Sequence, residues 1–512
     1  MLPESASRLP AHRQGCAGVP GTSDREWISG RIVSLFDKAA NLAYNLDTKI
    51  KNERRHTQMA ELSVSGKKST VRDMTDGSIV KQIILFSLPL MLGNVFQMLY
   101  NTVDSIVVGN FVGTQALAAV GSTTMIVNMM VFFFNGFSAG AGVVIANYFG
   151  AKNMEKLHMS IETTMAATFA LSVLFTIGGV AAVRPMLRFM ATPEDVFGEA
   201  TVYLQIYIGG ISGLLVYNMG SGILRAVGDT MRPLYFLIFT SVLNIILDLL
   251  FVLVLHMGIE GVAWATIISQ FISAFLIMAL LTRTRDIYRL TWHDLRIDKA
   301  ILGSIFAVGL PAGIQSIITA FSNVFVQSYV NFFGSACMAG WSCYNKLDQF
   351  IMLPMQSMAM AATTFVSQNI GAQKERRADK GTIVAVSMTV GVTAVIVAFL
   401  CLFAAPAVGL FSPDETVIDF GVLFIRANCF FLIFNCVNHV LAGALRGRGD
   451  SKGPMIIMLL AFVGIRQVYL YVVTHFIANT PFLVGFGYPV GWTSCCIIEL
   501  TYFFLRWGSK RK

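Results

Sequence analysis

LRAVGDTMRP, residues 224–233, returns as LRGRGDSKGP at residues 445–454, a shift of 221 residues. Both copies stand at the end of one apolar stretch and just before the next. Further landmarks recur in the same order with nearly the same shift: Gly150 as Gly371, Pro89 as Pro311, and NFVG at 110–113 as NFFG at 331–334. Chance similarity between apolar helices rarely preserves loop glycines in order, so the second half of the chain repeats the first.

The composition indicates a membrane protein. Of the 512 residues, 55% are hydrophobic and only 13% are charged, whereas soluble domains carry about 25% charged residues. Apolar stretches of about 20 residues recur from residue 79 to residue 506, and each is long enough to cross a hydrocarbon core of ~30 Å. We therefore expect a polytopic helical protein.

Twelve spans are predicted, six in each half. Their bounds are about 79–108, 115–148, 157–183, 198–222, 231–255, 259–281, 301–333, 336–369, 380–405, 416–443, 454–477 and 482–506. The predicted fold class is an all-α integral membrane protein, with twelve transmembrane helices in two parallel pseudo-symmetric six-helix lobes. The predicted domains are a polar extension at 1–74, an N-lobe at 75–282, a linker at 283–300 and a C-lobe at 301–509.

Charge sets the predicted orientation. Six spans per repeat is an even number, so both halves enter the membrane from the same side. Lysine and arginine concentrate in the loops after even-numbered spans, and the loops after odd-numbered spans carry only Arg184 and Arg188. Because cytoplasmic loops are enriched in basic residues, both termini are predicted to be cytoplasmic. We expect a multi-pass protein of the inner or plasma membrane.

The amino-terminal segment 1–73 differs from the rest. It is polar and charged, with one modest amphipathic piece, EWISGRIVSLFDKAANLAYNL, and no signal peptide. The favoured interpretation is an upstream start codon, with Met59 or Met74 as the true beginning. The alternative is a helix that lies on the membrane surface.

Several function classes are disfavoured. The net charge of +9 does not indicate nucleic-acid binding, because the basic residues form short clusters between apolar stretches. An integral-membrane enzyme would need a metal or nucleophile constellation, which the scattered histidines do not supply, and no cofactor is expected. A channel is disfavoured by the broken pseudo-symmetry. The cysteines of the apolar region show neither metal-ligand spacing nor a disulfide pattern and are interpreted as apolar fillers: Cys337, Cys343, Cys401, Cys429, Cys436, Cys495 and Cys496.

The first lobe carries polar residues at membrane depth. Asp104 lies late in span 1, and Asn244 and Asp248 are four apart in span 5, so both face one side of a helix. Thr266 lies in span 6. No lysine or arginine lies in the core of spans 1, 2, 5 or 6. A carboxyl group removed from water without a cationic partner favours its neutral form. Such a group binds a proton, or Na⁺ if several oxygens converge.

Structural roles compete with these functional ones. Asp104 and Asp248 could simply form helix-to-helix hydrogen bonds, although glutamine or serine would serve at lower cost. Asn244 is a residue type that commonly joins membrane helices. For Thr266 a hydrogen bond to its own helix backbone is the favoured interpretation.

The second lobe is charged differently. Spans 7 and 10 have no carboxylate in their interiors, whereas Asp348 lies in span 8 beside Lys346 and Arg466 lies near the middle of span 11. Asp348 and Arg466 form a candidate polar cluster. In one hypothesis Arg466 pairs with Asp348 and keeps the lobe neutral. In another, Arg466 attracts an anionic part of a substrate. In a third interpretation, Lys346 and Asp348 are an i,i+2 pair that occurs by chance near the membrane interface.

Backbone features accompany these groups. Pro89 lies fifteen residues before Asp104 in span 1, and a kink there could couple to protonation of the carboxyl or could be static. In GFSAGAG, residues 136–142, the glycines Gly136 and Gly140 are interpreted as a close helix contact.

The chain from about Asp76 to Trp507 resembles the multidrug and toxic compound extrusion (MATE) family. The resemblance rests on PLMLGNVFQMLYNTVDSIVVGNFVGTQALAAVG, on the duplicated LRAVGDTMRP and LRGRGDSKGP, and on NIILD of span 5. It implies a twelve-helix antiporter that exports organic, often cationic, compounds against an inward H⁺ or Na⁺ gradient. It also implies an ion site at Asp104, Asn244, Asp248 and Thr266, with Pro89 as the proline of span 1. The carboxylates of spans 7 and 10 that form a second site in some relatives are missing here.

The expected function is ion-coupled efflux of organic, drug-like compounds by alternating access. The expected partners are small organic substrates and the lipid bilayer, with no nucleic acid, and the protein is expected to act as a monomer. The alternative is a flippase for a lipid-linked saccharide or another amphipathic lipid, which would need a strongly basic cavity. Arg466 is the one mid-span arginine that the sequence places with certainty.

Overall fold

The computed structural model describes residues 71–190 and 192–508. Within these ranges the regular structure is helical and includes no β-strand. The predictions made for residues 1–70 lie outside the described residues.

Within the described residues, twelve helical spans follow one another. In the first half they are α1 Ile79–Val112, α2 Thr114–Gly150, α3 Met154–Phe189, α4 Glu194–Gly209 with Ile211–Ala226, α5 Met231–Val254 and α6 Gly258–Arg283. In the second half they are α7 Lys299–Asn331, α8 Ser335–Gly371, α9 Glu375–Leu402, α10 Glu415–Gly447, α11 Lys452–Ile477 and α12 Pro481–Trp507. Eleven are straightforward candidates for membrane spans, and α4 makes twelve if its two bent segments count as one.

The fourth span is bent, a feature that the sequence did not predict. Its two segments meet at Gly210 with a bend of 45°. A side chain at Gly210 would collide with Ile267 of α6. The glycine therefore lets α6 approach the bend closely, a contact that hydropathy alone does not reveal.

Turn glycines and helix-capping side chains mark the ends of several loops between the spans. The last residues of NFVG and NFFG, Gly113 and Gly334, have φ of +127° and +88°, a region that favours glycine. Both glycines directly precede the second helix of their repeat. The side chain of Asp298 caps α7 by accepting a hydrogen bond from the Ile301 amide at 2.8 Å. The repeated landmarks thus mark equivalent turns in the two halves.

The lobes pack against each other through α2 and α7 and through α2 and α8. A side chain at Gly136 or Gly140 would overlap the backbone of α7 near Gly313 and Gly309. The glycine run of α2 therefore serves the close helix contact that its spacing predicted.

Hydrogen bonds between the lobes concentrate at the end of the molecule where α2 and α8 finish. Ser367 donates to the Val143 carbonyl at 2.6 Å, and Gln368 donates to the Ala226 carbonyl at 2.8 Å. We call this end, with the ends of α2, α4 and α8, the sealed end. Among the described residues, no inter-lobe hydrogen bond involves the half of α1 that contains Asp104.

A short segment before α1, residues 71–78, lies against both lobes at the sealed end; we call it the strap. The Arg72 amide donates to the Val227 carbonyl of the first lobe at 3.3 Å. The Met74 amide donates to Gln368 of the second lobe at 2.9 Å. The Met74 side chain is fully buried beside Phe86 and Phe365. The strap therefore joins the two halves.

Candidate functional site

Helices α1 and α5 bring Asp104 and Asp248 together in the first lobe. Their carboxyl groups are near enough to interact electrostatically, and Asp248 is 0% exposed. Apart from their contact with each other, Oδ1 of Asp104 and both carboxyl oxygens of Asp248 have no hydrogen-bond partner in the described part of the chain. No described lysine, arginine or histidine forms an ion pair with either residue. This is an uncompensated carboxyl pair.

Asn244 lies one turn before Asp248 and is also buried. Neither its Oδ1 nor its Nδ2 has a protein partner among the described residues. Unpaired polar atoms in a protein interior are uncommon and call for an explanation such as a bound ion or water. Asn244 therefore adds one free acceptor and one free donor beside the carboxyl pair.

Thr266 plays a more local role. Its hydroxyl donates to the Val262 carbonyl of its own helix at 3.0 Å, as the sequence favoured. The hydroxyl makes no hydrogen bond to Asp104 or Asp248 in the described structure. The neighbouring helices α5 and α6 are instead joined by Ser273, which donates to Thr240 at 2.9 Å.

Three tyrosines lie near the carboxyl pair, and the sequence reasoning missed them. Tyr100 of α1 and Tyr203 and Tyr207 of α4 all lie close enough to Asp104 to interact with it electrostatically. The rings of Tyr203 and Tyr207 stack with centroids 6.2 Å apart. Tyr100 precedes Asp104 by four residues, and Tyr203 precedes Tyr207 by four. Helical spacing predicts that the members of each pair lie on one face of their helix. It does not predict that these two faces lie opposite each other.

The helices change geometry beside the site. After Asp104, α1 passes into a π-helical turn at Val108–Val112, and after Asp248, α5 does so at Leu250–Val254. In the second lobe, the π-helical turn Leu459–Ile465 ends just before Arg466. Such turns are rare and frequently lie at functional sites. Asp104, Asp248 and Arg466 thus each lie beside a π-helical turn that the sequence did not reveal, whereas Asp348 lies within an uninterrupted α-helix.

Pro89 is buried within α1, and the helix continues through it. Fifteen residues separate Pro89 from Asp104, which is ~22 Å along a helix. Any coupling between the proline and the carboxyl pair therefore acts along α1 rather than by contact.

Arg466 in α11 is almost completely buried, with 1% of its surface exposed. Its Nε donates to the Ser322 hydroxyl and one terminal nitrogen donates to Asn323 Oδ1, each at 3.1 Å. The guanidinium also lies 5.0 Å from the ring centroid of Tyr488. Residues of α7 and α12 thus provide these hydrogen-bond and ring contacts of the guanidinium, and Arg466 makes no ion pair with Asp348 in the described structure.

Asp348 in α8 lies near aromatic hydroxyl groups instead. Tyr344 and Tyr488 both interact electrostatically with it. Its Oδ1 and the Tyr344 hydroxyl have no hydrogen-bond partner among the described residues. The neighbouring Lys346 lies over the ring of Phe411, 5.4 Å from its centroid. Tyr488 therefore lies near both Asp348 and Arg466, whereas these two charged residues form no ion pair with each other in the described structure.

Glu499 of α12 is a buried acid that the sequence reasoning did not single out. Its side chain is 0% exposed, and neither carboxyl oxygen has a hydrogen-bond partner in the described residues. Its charged neighbour is Arg446, which donates to Gln315 at 3.2 Å. The signal in the sequence was a single glutamate within the last apolar span, four residues after Cys495 and three after Cys496.

The arrangement in the first lobe suits a small cation. Two neighbouring carboxyl groups strongly favour binding one positive charge between them. The described residues contain no group of three or more histidine, cysteine, aspartate or glutamate side chains able to hold a metal ion. Proton binding, or coordination of a monovalent ion by carboxyl and amide oxygens, is the chemistry that these residues support.

The chain matches known transporters over most of its length. The MatE family profile matches residues 89–250 and again residues 311–472. The probable multidrug resistance protein YpnP of Bacillus subtilis (strain 168) is 29% identical over 439 residues, which cover 86% of this chain and 98% of that protein. The multidrug export protein MepA of Staphylococcus aureus (strain bovine RF122 / ET3-1) is 22% identical over 395 residues, which cover 76% and 86% of the two chains.

Solved structures share the fold. An outward-facing structure of a multidrug resistance MATE family transporter of the MOP superfamily superposes with a TM-score of 0.82 at 24% identity. The match covers 87% of this chain and 99% of that one. With the helices above, it confirms the predicted all-α, two-lobed membrane fold. Because the family profile covers both repeats and more than half of the residues, the chain belongs to the MATE family of multidrug efflux transporters.

Proposed function

We propose that this transporter is a secondary active antiporter that exports organic, drug-like cations in exchange for H⁺ or Na⁺. The observation that supports coupling to an ion is the carboxyl pair of Asp104 and Asp248. An ionised carboxylate inside a membrane is costly when it has no partner. Binding of a cation there is therefore strongly favourable, and release of the cation leaves the carboxylate charge unpaired again.

The cycle follows from the two lobes. With the sealed end closed, the coupling ion reaches the carboxyl pair from the opposite side. Its binding removes one negative charge from the pair of Asp104 and Asp248, which lets α1 and α5 pack more closely at their π-helical turns. Substrate is then released outward, and the ion leaves after the lobes have rocked to open the sealed end.

The orientation proposed for the cell membrane places both termini and the sealed end at the cytoplasm. Basic residues at that end support it: Lys152, Arg225, Lys374, Arg376 and Arg377. The working unit is one chain in the bilayer, because two lobes within a single chain suffice to enclose a substrate.

The charge distribution disfavours the flippase alternative. A lipid pyrophosphate would need exposed basic groups in the space between the lobes. Arg466 is 1% exposed and is bound by Ser322 and Asn323, so its guanidinium is not available to a bulky anion.

The test is efflux of a cationic fluorescent dye from proteoliposomes under an imposed pH or Na⁺ gradient. We expect one gradient to drive efflux in the wild type. Asp104→Asn and Asp248→Asn should each lower the gradient-driven rate at least about tenfold, since transport then lacks the charge that the ion neutralises.

The matched control is Asp195→Asn, which makes the same change at an exposed position in the first turn of α4. It should transport at the wild-type rate. Folded wild-type protein that moves no dye under either gradient would refute the proposal and favour lipid flipping. Full-rate efflux by Asp248→Asn would refute the assigned ion site.

A further inference from the structure

Two cysteines of the second lobe lie in contact. The Sγ atoms of Cys401 in α9 and Cys429 in α10 are 2.9 Å apart. This is within about 1 Å of the ~2.05 Å bond length of a disulfide. They are 28 residues apart in the chain, and they form the one such pair among the described cysteines.

The two thiols differ in access. Cys401 is half-buried at the end of α9, next to Leu402, which is 78% exposed. Cys429 is 1% exposed and lies behind it. A reagent that reaches this pair from solution therefore meets Cys401 first, and Cys429 is placed to react with Cys401 rather than with the reagent.

Cys429 stands at an interruption of its helix. The α-helical part of α10 ends at Asn428, a 3₁₀ turn runs over Cys429–Phe431, and the α-helix resumes at Leu432. The side chain of Asn428 bonds back to the Phe424 carbonyl at 2.8 Å, while its Oδ1 has no partner in the described residues. Short 3₁₀ stretches inside helices often mark hinges.

The pair also borders the polar cluster of the second lobe. Cys429 is near enough to Tyr344 to interact with it electrostatically, and Tyr344 interacts in the same way with Asp348. A covalent change at Cys429 therefore takes place beside Tyr344, which in turn lies beside Asp348.

We propose that Cys401 and Cys429 form a reversible disulfide that fastens the interruption of α10 to α9. The proposal goes beyond ion-coupled efflux, and it rests on the proposed function only for the orientation of the chain in the membrane. The proposed orientation puts the end of α9 at the outer face of the membrane, where disulfides persist.

A low-molecular-weight disulfide is the oxidant. The Cys401 thiol loses its proton, and the thiolate attacks one sulfur of the oxidant, forming a mixed disulfide and releasing one small thiol. The Cys429 thiolate then attacks the Cys401 sulfur, which closes the Cys401–Cys429 bond and releases the second small thiol. Two protein thiols are oxidised and one small disulfide is reduced to two thiols, so atoms and electrons balance.

The test uses the purified full-length chain in buffers of reduced and oxidised glutathione. Free thiols are trapped with a light maleimide after acid quenching, the disulfides are then reduced, and the released thiols take a heavy maleimide. Peptide mass spectrometry should show Cys401 and Cys429 becoming heavy together at one glutathione ratio. Cys337, Cys343, Cys436, Cys495 and Cys496 should remain light.

Variants separate the two steps. In Cys429→Ser, Cys401 should stop at the mixed disulfide with glutathione, because the resolving thiol is missing. In Cys401→Ser, Cys429 should stay reduced. The matched control Cys495→Ser, which removes another buried cysteine of the same lobe, should leave the oxidation of the pair unchanged. Light labelling of both cysteines in the most oxidising buffer would overturn the proposal.

Hydrogen exchange tests the fastening of the helix. Oxidation of the wild type should slow exchange of the amides of residues 428–432 at least about tenfold, because local opening there would have to break α10 away from α9. Cys401→Ser should show no change with the same buffers. Complete oxidation with unchanged exchange would overturn the claim that the bond restrains the interruption.

Discussion

Gly150 and Gly371 make the same contact from opposite lobes. A Cβ atom at Gly150 would overlap the backbone of Gln368, and a Cβ atom at Gly371 would overlap the backbone of Asn147. The two contacts are related by the 221-residue shift of the sequence repeat. The crossing of α2 and α8 therefore lies on the pseudo-twofold axis of the molecule, and glycine at both positions is what allows the sealed end to close.

Gly371→Ala should hold the sealed end open. Adding a methyl group to a close-packed contact costs about 1–3 kcal/mol, and here the strain falls on the closed arrangement alone. The probe is Ser367→Cys in a chain without other cysteines, because Ser367 is 0% exposed between the lobes. Maleimide labelling of that cysteine should accelerate about tenfold or more, which is the change in open population for ~1.4 kcal/mol.

Gly303→Ala is the matched control for that substitution. Gly303 lies in α7, and a Cβ atom there has nothing within 4 Å. Its labelling should equal that of the parent chain. Equal labelling of Gly371→Ala and Gly303→Ala would show that the crossing tolerates a side chain and does not govern closure.

Gln368 should act as a second lock at the same end. Its Oε1 accepts from the Met74 amide at 2.9 Å and its Nε2 donates to the Ala226 carbonyl at 2.8 Å, so one buried amide joins the strap, α8 and α4. Gln368→Leu removes both bonds and leaves two buried backbone groups without partners, at about 1–3 kcal/mol each. Labelling of Ser367→Cys should again rise at least about tenfold.

The same substitution at Gln349, an exposed position of α8, controls for the loss of a glutamine from this helix. Labelling at the sealed end should not respond to Gln349→Leu. If Gln368→Leu labels as slowly as Gln349→Leu, the strap and α4 stay in place without the amide, and Gln368 is not a lock.

Much of this architecture follows from the sequence. Spans, repeat and turn glycines depend on local composition, and NFVG and NFFG predicted equivalent turns that the structure shows at Gly113 and Gly334. Helical spacing also put Asn244 and Asp248 on one face. These features need only the helical period and the hydropathy of consecutive residues.

Other features depend on how helices meet. The stacking of Tyr203 and Tyr207 next to Asp104, the contact of Cys401 with Cys429, and the burial of Arg466 on Ser322 all join different helices. Spacing along one helix gives the direction of a side chain but not its partner. The π-helical turns beside Asp104 and Asp248 likewise arise from packing, because no residue type forces an i→i+5 bond.

Asp76 in the strap should not sense pH in the physiological range. The hydrogen bond and the charge of Lys374 lower the pKa of the Asp76 carboxyl. A group with a lowered folded-state pKa stabilises the fold above its unfolded pKa, about 3.9, and loses that contribution only as pH falls below it. The contact with Lys374, at 2.6 Å, is therefore complete between about pH 5 and 8.

The distance between spin labels attached at Ala151→Cys and Ala372→Cys, at the ends of α2 and α8, tests that prediction. Any change of their distance between about pH 5 and 8 comes from other groups, so it should persist in Asp76→Asn. The matched control is Asp414→Asn, because hydrogen bonds from Thr416 also lower the pKa of that exposed carboxyl. A pH response that disappears in Asp76→Asn but survives in Asp414→Asn would contradict the assignment.

Asp104 and Asp248 should behave as one unit in transport. If the pair shares a single coupling ion, removing either carboxyl already abolishes the exchange, and removing both adds nothing. The double variant Asp104→Asn with Asp248→Asn should therefore lose no more gradient-driven efflux than the more affected single variant, within about threefold. Independent sites would instead give losses that multiply. Rates from proteoliposomes at equal protein density decide between the two outcomes, and multiplicative losses would mean that each aspartate carries its own ion.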